Sequence, residues 1–178
     1  MTTTEKTCEQ WIDTAMASRL EDIRVMLDPQ YDDVQLIDDG TLDTVIQIGN
    51  YRWRYQADTV TAFRTDTGDI DLDDFLYHEF DTLRDELRER FNEYGLELAV
   101  EDENGPLHVR YLLSTGGPHE EIRLFINLAG EITGGEFVAE DWGDYARRPL
   151  PQWAVTMLAG EFGDYAPNML RSKMEDVS

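Results

Sequence analysis

The residues best suited to chemistry in this sequence are one cysteine, three histidines and many carboxylates. Nucleophilic catalysis needs a serine or cysteine held beside a base. Cys8 falls on a stripe of apolar residues spaced three and four apart, far in sequence from every histidine, so we interpret it as a small core residue. The sequence has no Gly-x-Ser-x-Gly motif. We therefore predict no catalytic residue and expect a protein that is not an enzyme.

Metal ligands must cluster at defined spacings, and three short segments are candidates. His78-Glu79 and His119-Glu120-Glu121 match neither a zinc nor a calcium pattern. Asp71, Asp73 and Asp74 resemble the start of a calcium loop, but the glycine at its sixth position and its later glutamate are missing. We predict no metal and no cofactor.

Two other segments carry patterns that are found in binding sites. Ser114–Pro118 contains two glycines and could cradle a phosphate with backbone amides, but no lysine follows, so we interpret it as a tight loop. Tyr51–Tyr55 alternates aromatic and arginine residues, which places its aromatics on one strand face and its arginines on the other. Such patterns bind single-stranded nucleic acid. Because carboxylates surround it, we expect core aromatics, and arginines paired with Asp or Glu.

Charge is the dominant property of the whole chain. Its formal net charge is -23, from 38 carboxylates against 15 lysines and arginines, and only Lys6 and Lys173 are lysines. This is far beyond the roughly 2–8 charges that suffice to keep a small domain soluble. The resulting self-repulsion destabilises a compact state. Anionic lipid and bare nucleic acid would be repelled, so we predict neither a membrane nor direct nucleic acid as a partner.

Composition and length predict one folded domain over residues 1–178, since 41% of the residues are hydrophobic. The single cysteine excludes an internal disulfide, which fits a reducing compartment. Met1–Lys6 lacks the features of a signal peptide, and no apolar run approaches the roughly 18 residues of a membrane span. We therefore expect a cytoplasmic protein.

Apolar spacing predicts long helices over Glu5–Leu27 and Leu72–Tyr94, with Gly95 just past the second, and a shorter one over Pro151–Phe162. A short turn is expected near Met169. Strand-like runs separated by turn residues are Val34–Asp38, Thr44–Ile48, Tyr51–Gln56, Thr59–Arg64, Leu96–Val100, Leu107–Ser114, Glu121–Asn127 and Glu131–Glu140. The predicted turns between them include Asp39-Gly40, Gly49-Asn50 and Leu128–Gly130.

These elements predict an α+β fold with antiparallel sheet, two long helices and a shorter C-terminal helix. Each half reads as one long helix followed by about four strands. The pattern is therefore also compatible with two αββββ halves, 1–66 and 67–145, followed by the helix within 150–178.

Acidic residues are densest from Asp66 to Glu93, around the second long helix. If the apolar stripe of this helix is buried, Asp74, Asp81, Asp85 and Glu89 point outward. Neighbouring like charges four residues apart destabilise a helix slightly, so helix stability does not require them. The predicted partner-binding residues are Asp69, Asp71, Asp73, Asp74, Asp81, Asp85 and Glu89.

Two explanations of the charge stay open. Carboxylates can imitate phosphates and occupy the basic groove of a nuclease, a CRISPR effector or a restriction enzyme, with the salt dependence of nucleic acid binding. Alternatively, a cytoplasm rich in salt selects acidic, lysine-poor surfaces, because molar salt shortens the Debye length to about 3 Å. In that case the acidity reports habitat, and the protein is a binding or accessory protein of other function.

The segment Tyr111–Pro118, a strand pair and then Glu140–Asp144 together resemble part of the small acidic accessory proteins of phages and plasmids. The resemblance covers Tyr111–Asp144 and transfers no functional residue. It implies a mobile-element setting, where anti-restriction and anti-CRISPR proteins occur. Together with the charge, it predicts a non-enzymatic inhibitor whose partner is a basic nucleic-acid-binding defence enzyme. A pocket lined by His78, His108 or His119 would instead favour an enzyme.

Overall fold

The computed structural model describes residues 7–37, 43–56, 63, 70–95, 97–101, 106–115 and 118–176. Within these residues the predicted α+β fold is confirmed, with four α-helices and two antiparallel sheets of three and five strands. The chain divides into two compact units. The continuous unit is Glu21–Asn92, and the split unit joins Met1–Leu20 to Glu93–Ser178.

The continuous unit is built around a three-stranded meander. It contains the end of α1 (Cys8–Leu27), a 3-10 helix (Tyr31–Asp33), β1 (Val34–Ile37), β2 (Thr44–Ile48), β3 (Tyr51–Tyr55) and most of α2 (Leu72–Tyr94). The predicted turn Gly49-Asn50 joins β2 to β3. Gly49 has φ +56°, and a Cβ there would lie 3.2 Å from the Val25 side chain, so backbone and space both favour glycine.

The apolar stripe of α2 is buried, as its spacing predicts. Its buried side chains are Phe75, Leu76, Phe80, Leu83, Leu87 and Phe91. Ile46 and Ile48 of β2, with Ile23 and Met26 of α1, have no exposed surface and complete the core of this unit. Each such side chain contributes about 1.5–3 kcal/mol by leaving water.

The split unit contains a five-stranded meander covered by helices. Its elements are the first part of α1, β4 (Glu97–Glu101), β5 (His108–Ser114), β6 (His119–Ile126), β7 (Ile132–Asp141), β8 (Asp144–Pro149), α3 (Gln152–Phe162) and α4 (Ala166–Asp176). Each strand pairs antiparallel with the next in chain order. α3 packs on β7 and α4 lies beside β4.

The two faces of this sheet differ in character because side chains alternate along each strand. One face carries the core, with Val109, Ile122, Leu124, Phe137 and Ala139 fully buried. The opposite face combines the buried Leu112 and Val138 with five charged residues, Arg110, Glu121, Arg123, Glu136 and Arg147.

The turn between β6 and β7 includes the predicted Leu128–Gly130. Asn127 Oδ1 accepts hydrogen bonds from the backbone N–H of Ala129 at 2.9 Å and of Glu131 at 3.0 Å. Gly130 has φ +82°, and a Cβ there would lie 2.6 Å from the Pro167 Cα. This position therefore requires glycine.

Two predictions about the second half are wrong. It has five strands rather than four, because Asp144–Pro149 forms β8, so it is not an αββββ half. The C-terminal segment forms the helix α4 rather than a short turn near Met169. The predicted strand Thr59–Arg64, apart from Phe63, and the predicted turn Asp39-Gly40 lie outside the described residues.

Gly95 follows the last residue of α2, as predicted. A Cβ at this position would clash with the Tyr111 ring, which is buried in the core of the split unit. The requirement for glycine here is therefore one of space. Among the described helices, none is both long and apolar enough to cross a membrane.

Candidate partner-binding surface

An acidic residue caps the N-terminus of α2. The Asp71 carboxylate accepts a hydrogen bond from the Asp74 N–H at 3.1 Å, and the Asp71 carbonyl accepts one from the Phe75 N–H at 3.0 Å. This is the arrangement of an N-cap, for which aspartate is a preferred residue. Asp71, predicted as a partner contact, therefore also has a structural role.

The other predicted contact residues within the described part of the chain are exposed. Asp73, Asp74, Asp81, Asp85 and Glu89 all present their carboxylates to solvent along α2. Asp69 lies outside the described residues. Five of the seven predicted contact residues therefore share one helix, but these five do not form an uninterrupted acidic row.

Arginines interrupt the row. Arg84 lies 3.1 Å from the Asp81 carboxylate, and Arg88 lies over the Phe91 ring at 5.9 Å from its centroid. An exposed pair of this kind contributes about 0.3–0.5 kcal/mol. The excess charge persists, because α2 contains eight carboxylates and three arginines.

The segment Tyr51–Tyr55 forms β3 with the predicted alternation of aromatic and arginine residues. Arg52 and Arg54 are exposed, as the period of two predicts. Arg54 lies 3.6 Å from the Asp43 carboxylate, but Arg52 donates to the Gln47 side chain at 2.8 Å. The aromatics are half-buried rather than fully buried core.

Charged residues of α2 cover these aromatics. Arg90 lies over the rings of Tyr51 and Trp53, 5.4 Å and 5.7 Å from their centroids. The Trp53 indole N–H donates to the Glu86 carboxylate at 2.6 Å. An arginine of the protein itself therefore already lies against the Tyr51 and Trp53 rings, which argues against base stacking there.

Tyr55, the third aromatic of β3, packs edge-on against Phe75 with ring centroids 5.2 Å apart. Burial, and after it the negative charges of Glu79 and Glu86, raises the pKa of Tyr55 to about 12. Its hydroxyl stays protonated at neutral pH and cannot serve as a base there.

Two glutamates of β6 are buried, and the alternation of the strand separates them. The Glu120 carboxylate accepts a hydrogen bond from Arg19 Nε at 2.6 Å, and Arg19 also donates to the Tyr94 hydroxyl at 3.2 Å. On the opposite face, His119 Nε2 lies 2.9 Å from the Glu121 carboxylate. The segment His119-Glu120-Glu121 therefore does not converge on one metal ion.

Glu121 belongs to an ion network on the charged face of the sheet. Arg123 Nε donates to its carboxylate at 2.5 Å, and Glu136 lies 3.7 Å from Arg123 and 3.6 Å from Arg147. Burial raises the pKa of Glu121, but the hydrogen bonds from His119 and Arg123 outweigh it and lower the pKa overall. General acid–base catalysis is most efficient when the pKa of the catalytic group lies near the operating pH. Because the pKa of Glu121 is lowered, away from neutral pH, we assign this carboxylate a structural role.

Cys8 is buried, which confirms its interpretation as a core residue. Its backbone N–H donates to the Asp144 carboxylate at 2.5 Å, and its Sγ lies 3.4 Å from the Asp144 carbonyl oxygen. Burial raises the pKa of the thiol, and the charge of Asp144 raises it further. A protonated thiol is a weak nucleophile.

The other two histidines have separate environments. His108 is buried, and its Nδ1 lies 2.8 Å from the Pro106 carbonyl oxygen. His78 is exposed, with Nε2 3.9 Å from the Asp74 carboxylate. Within the described part of the chain, no three His, Cys, Asp or Glu side chains group as metal ligands.

Sequence reasoning assigned no partners to Glu120 and Glu121. Two adjacent glutamates ahead of the apolar run from Ile122 are a usable signal, because a charged residue in a buried strand needs a partner. The partner Arg19 lies 101 positions away in sequence, and no local pattern indicates it.

No family model, curated protein or solved structure matches this chain. The resemblance of Tyr111–Asp144 to acidic accessory proteins of phages and plasmids stays a prediction from the sequence. The exposed acidic side chains of α2 are therefore the feature from which a function is inferred.

Proposed function

We propose that this protein is a non-enzymatic inhibitor that occupies the nucleic-acid groove of a basic host enzyme through the acidic face of α2. The observation that carries the proposal is the spacing of Asp81, Asp85 and Glu89, whose exposed carboxylates follow one another at four-residue intervals although Arg84 lies beside Asp81. Each interval advances the helix by about 6 Å, a step of the same order as the distance between phosphates along a strand.

The physics of such binding is that of nucleic acid recognition with the roles exchanged. The lysines and arginines of the partner would bind carboxylates of this protein in place of the phosphates of nucleic acid. The affinity should therefore fall steeply with salt concentration, and DNA should compete for the same groove. A net charge of -23 also speeds encounter with a basic surface. Restriction and CRISPR nucleases are host defence enzymes that have such grooves, and the proposed site of action is the cytoplasm.

The first prediction concerns inhibition of DNA cleavage. We expect the purified protein to inhibit at least one enzyme in a panel of restriction endonucleases and RNA-guided nucleases at low salt. The charge reversal Asp81→Lys with Asp85→Lys should weaken inhibition about tenfold or more, because it replaces attraction by repulsion at the interface. The measurement is the inhibitor concentration that halves the cleavage rate at several salt concentrations.

The matched control reverses two exposed carboxylates outside α2, Glu140→Lys with Asp164→Lys. Both double variants have the same net charge, so the comparison isolates position from total charge. Equal weakening by the two variants would show that α2 is not the site. No inhibition of any enzyme in the panel would overturn the proposal.

One observation favours a second candidate, a binding or accessory protein adapted to high salt. The continuous unit and the split unit each contain 19 of the 38 carboxylates, in 72 and 106 residues respectively, so the acidity is denser in the unit that contains most of α2 but is not confined to it. Solvent selection would make both units acidic, whereas an interface requires only one face. The dependence of folding on salt separates the two candidates.

A further inference from the structure

A groove of about 740 Å³ lies in the continuous unit, between the 3-10 helix and the first turns of α2. Its volume falls within the range of roughly 300–1,000 Å³ that is usual for ligand sites. Its lining residues are Tyr31, Asp32 and Val34 on one side, and Leu72, Asp73, Leu76 and Tyr77 on the other.

Hydrogen bonds to Asp33 and ring packing of Tyr31 hold the 3-10 helix in place. The Asp33 carboxylate accepts hydrogen bonds from the Gln30 backbone N–H at 2.7 Å and from the Arg24 guanidinium at 2.8 Å. The Tyr31 ring packs on Phe80 with centroids 4.2 Å apart. Contacts within the unit therefore hold the Tyr31 side of the groove in place without a ligand.

The described lining of the groove is negatively charged. Asp33 is paired with Arg24, but within the described part of the chain no cation lies within ion-pair distance of Asp32 or Asp73. None of the described lining residues is basic. The groove therefore has the charge that a cationic ligand requires.

Two tyrosines give the groove a second property. Tyr77 is 81% exposed and Tyr31 is 57% exposed, although both are large side chains with apolar rings. Their π-faces attract cations, and arginine does this more often than lysine. Leu72 and Leu76 supply apolar surface for a methylene stem.

We infer that this groove binds an arginine side chain of a partner protein. The guanidinium pairs with Asp32 and Asp73 and stacks on the tyrosine rings, while its stem lies along the leucines. Arginine suits the site better than lysine because its planar group pairs with carboxylates at two points and stacks on aromatic faces. The inference rests on the proposed function for the identity of the partner, and it adds the side chain that is recognised.

The helix dipole places partial positive charge at this end of α2 and therefore opposes the binding of a cation. Its charge can be compared with that of the nearby carboxylates. The dipole is equivalent to roughly half a positive charge at the N-terminus. Asp71, Asp73 and Asp74 surround that end with three carboxylates. The local charge therefore stays negative.

The test is an NMR titration of the full chain with Nα-acetyl-arginine amide, beside the lysine amide and the neutral citrulline amide. We expect saturable shifts at Tyr31, Asp32, Asp73 and Tyr77 with arginine, weaker binding of lysine and none of citrulline. Asp32→Asn with Asp73→Asn should raise the dissociation constant about tenfold, which is roughly 1.4 kcal/mol. Tyr77→Leu should raise it about threefold.

The control variants remove the same kinds of side chain, carboxylates and a tyrosine, at exposed positions outside the groove. Glu140→Gln with Asp164→Asn removes two exposed charges, and Tyr165→Leu removes a tyrosine that is 60% exposed. Shifts scattered over the acidic surface, equal binding of citrulline, or equal effects of groove and control variants would overturn the inference.

The nuclease assay keeps this inference and the proposed function separate. Inhibition that is lost in Asp81→Lys with Asp85→Lys but unchanged in Asp32→Asn with Asp73→Asn would overturn the groove as a partner site and leave the proposed function. Arginine binding in the groove without inhibition of any nuclease would support the groove and remove the proposed function.

Discussion

Trp142 shows how a single residue can work against the stability of the fold. It occupies the first position of the two-residue turn between β7 and β8, with φ 48°, and Gly143 follows with φ +85°. A turn with two positive φ angles favours Asn-Gly or Asp-Gly. Trp142 is also 98% exposed, so little packing offsets a backbone strain of about 1–3 kcal/mol.

We expect Trp142→Asn to stabilise the protein by about 1 kcal/mol, because asparagine tolerates positive φ far better than tryptophan. The measurement is the free energy of unfolding from urea titration. Trp142→Ala is the control, since alanine removes the exposed ring and keeps the backbone strain. An equal gain from both variants would assign the effect to the ring instead of the backbone.

At the scale of elements, the 3-10 helix depends on one ion pair. The hydrogen bonds from Arg24, and after them the Gln30 N–H, hold the pKa of Asp33 below its usual range against the opposing effect of burial. A group whose pKa is lower in the folded state stabilises the fold above its unfolded pKa, which is about 3.9 for aspartate. This contribution is lost as the pH falls through the folded pKa.

Asp33→Asn should therefore cost about 1–2 kcal/mol of unfolding free energy at pH 7, and its difference from the wild type should shrink as the pH falls below about 4. Urea unfolding at a series of pH values measures both effects. Asp32→Asn, at the neighbouring exposed position, should change stability little at any pH. A difference for Asp33→Asn that stays constant down to pH 3 would contradict the assignment.

Elements with strong periodicity could be predicted from the sequence, and elements defined by tertiary context could not. The stripe of α2 repeats over six buried residues and indicates the helix directly. β8 contains Asp144, Ala146 and Pro149, which are depleted in strands, and it forms because β7 supplies its hydrogen-bonding partner. α4 begins with Ala166-Pro167, and a proline in the first turn is typical of a helix start, so this element had a local signal in the sequence.

The candidate binding surfaces also divide into a part that could be predicted from periodicity and a part that depends on tertiary context. Exposure of Asp81, Asp85 and Glu89 follows from the helical period alone. The groove could not be predicted, because it joins Tyr31 and Asp32 to a helix about 40 positions further along, and the residues around Tyr31 were assigned no element.

At the scale of the whole molecule, most of the arginines that the structure describes take part in ion pairs within the protein. In the split unit, Arg110 pairs with Glu97 and Glu101, and Arg148 pairs with Glu9 and Asp13. The other carboxylates that the structure describes are mostly exposed and repel one another at low ionic strength. Salt therefore acts on the fold as a whole.

We expect the fold to persist at 0.1 M KCl and its melting temperature to rise as KCl approaches molar concentration, because screening removes repulsion among the carboxylates. Thermal melting followed by circular dichroism across this range is the measurement. Sucrose at matched osmolality is the control, since it favours burial without screening charge. A fold that forms only near molar salt would favour adaptation to a salty cytoplasm over mimicry.

The bonds from Cys8 to Asp144 have a consequence for the order in which the protein folds. They join residues 136 positions apart, and the pairs of Arg148 with Glu9 and Asp13 span similar separations. During synthesis the beginning of α1 must wait for these partners until the last hairpin has been made, several seconds after Asn92 has been added. The continuous unit can thus complete its contacts first, while the carboxylates of Glu9 and Asp13 still face only water.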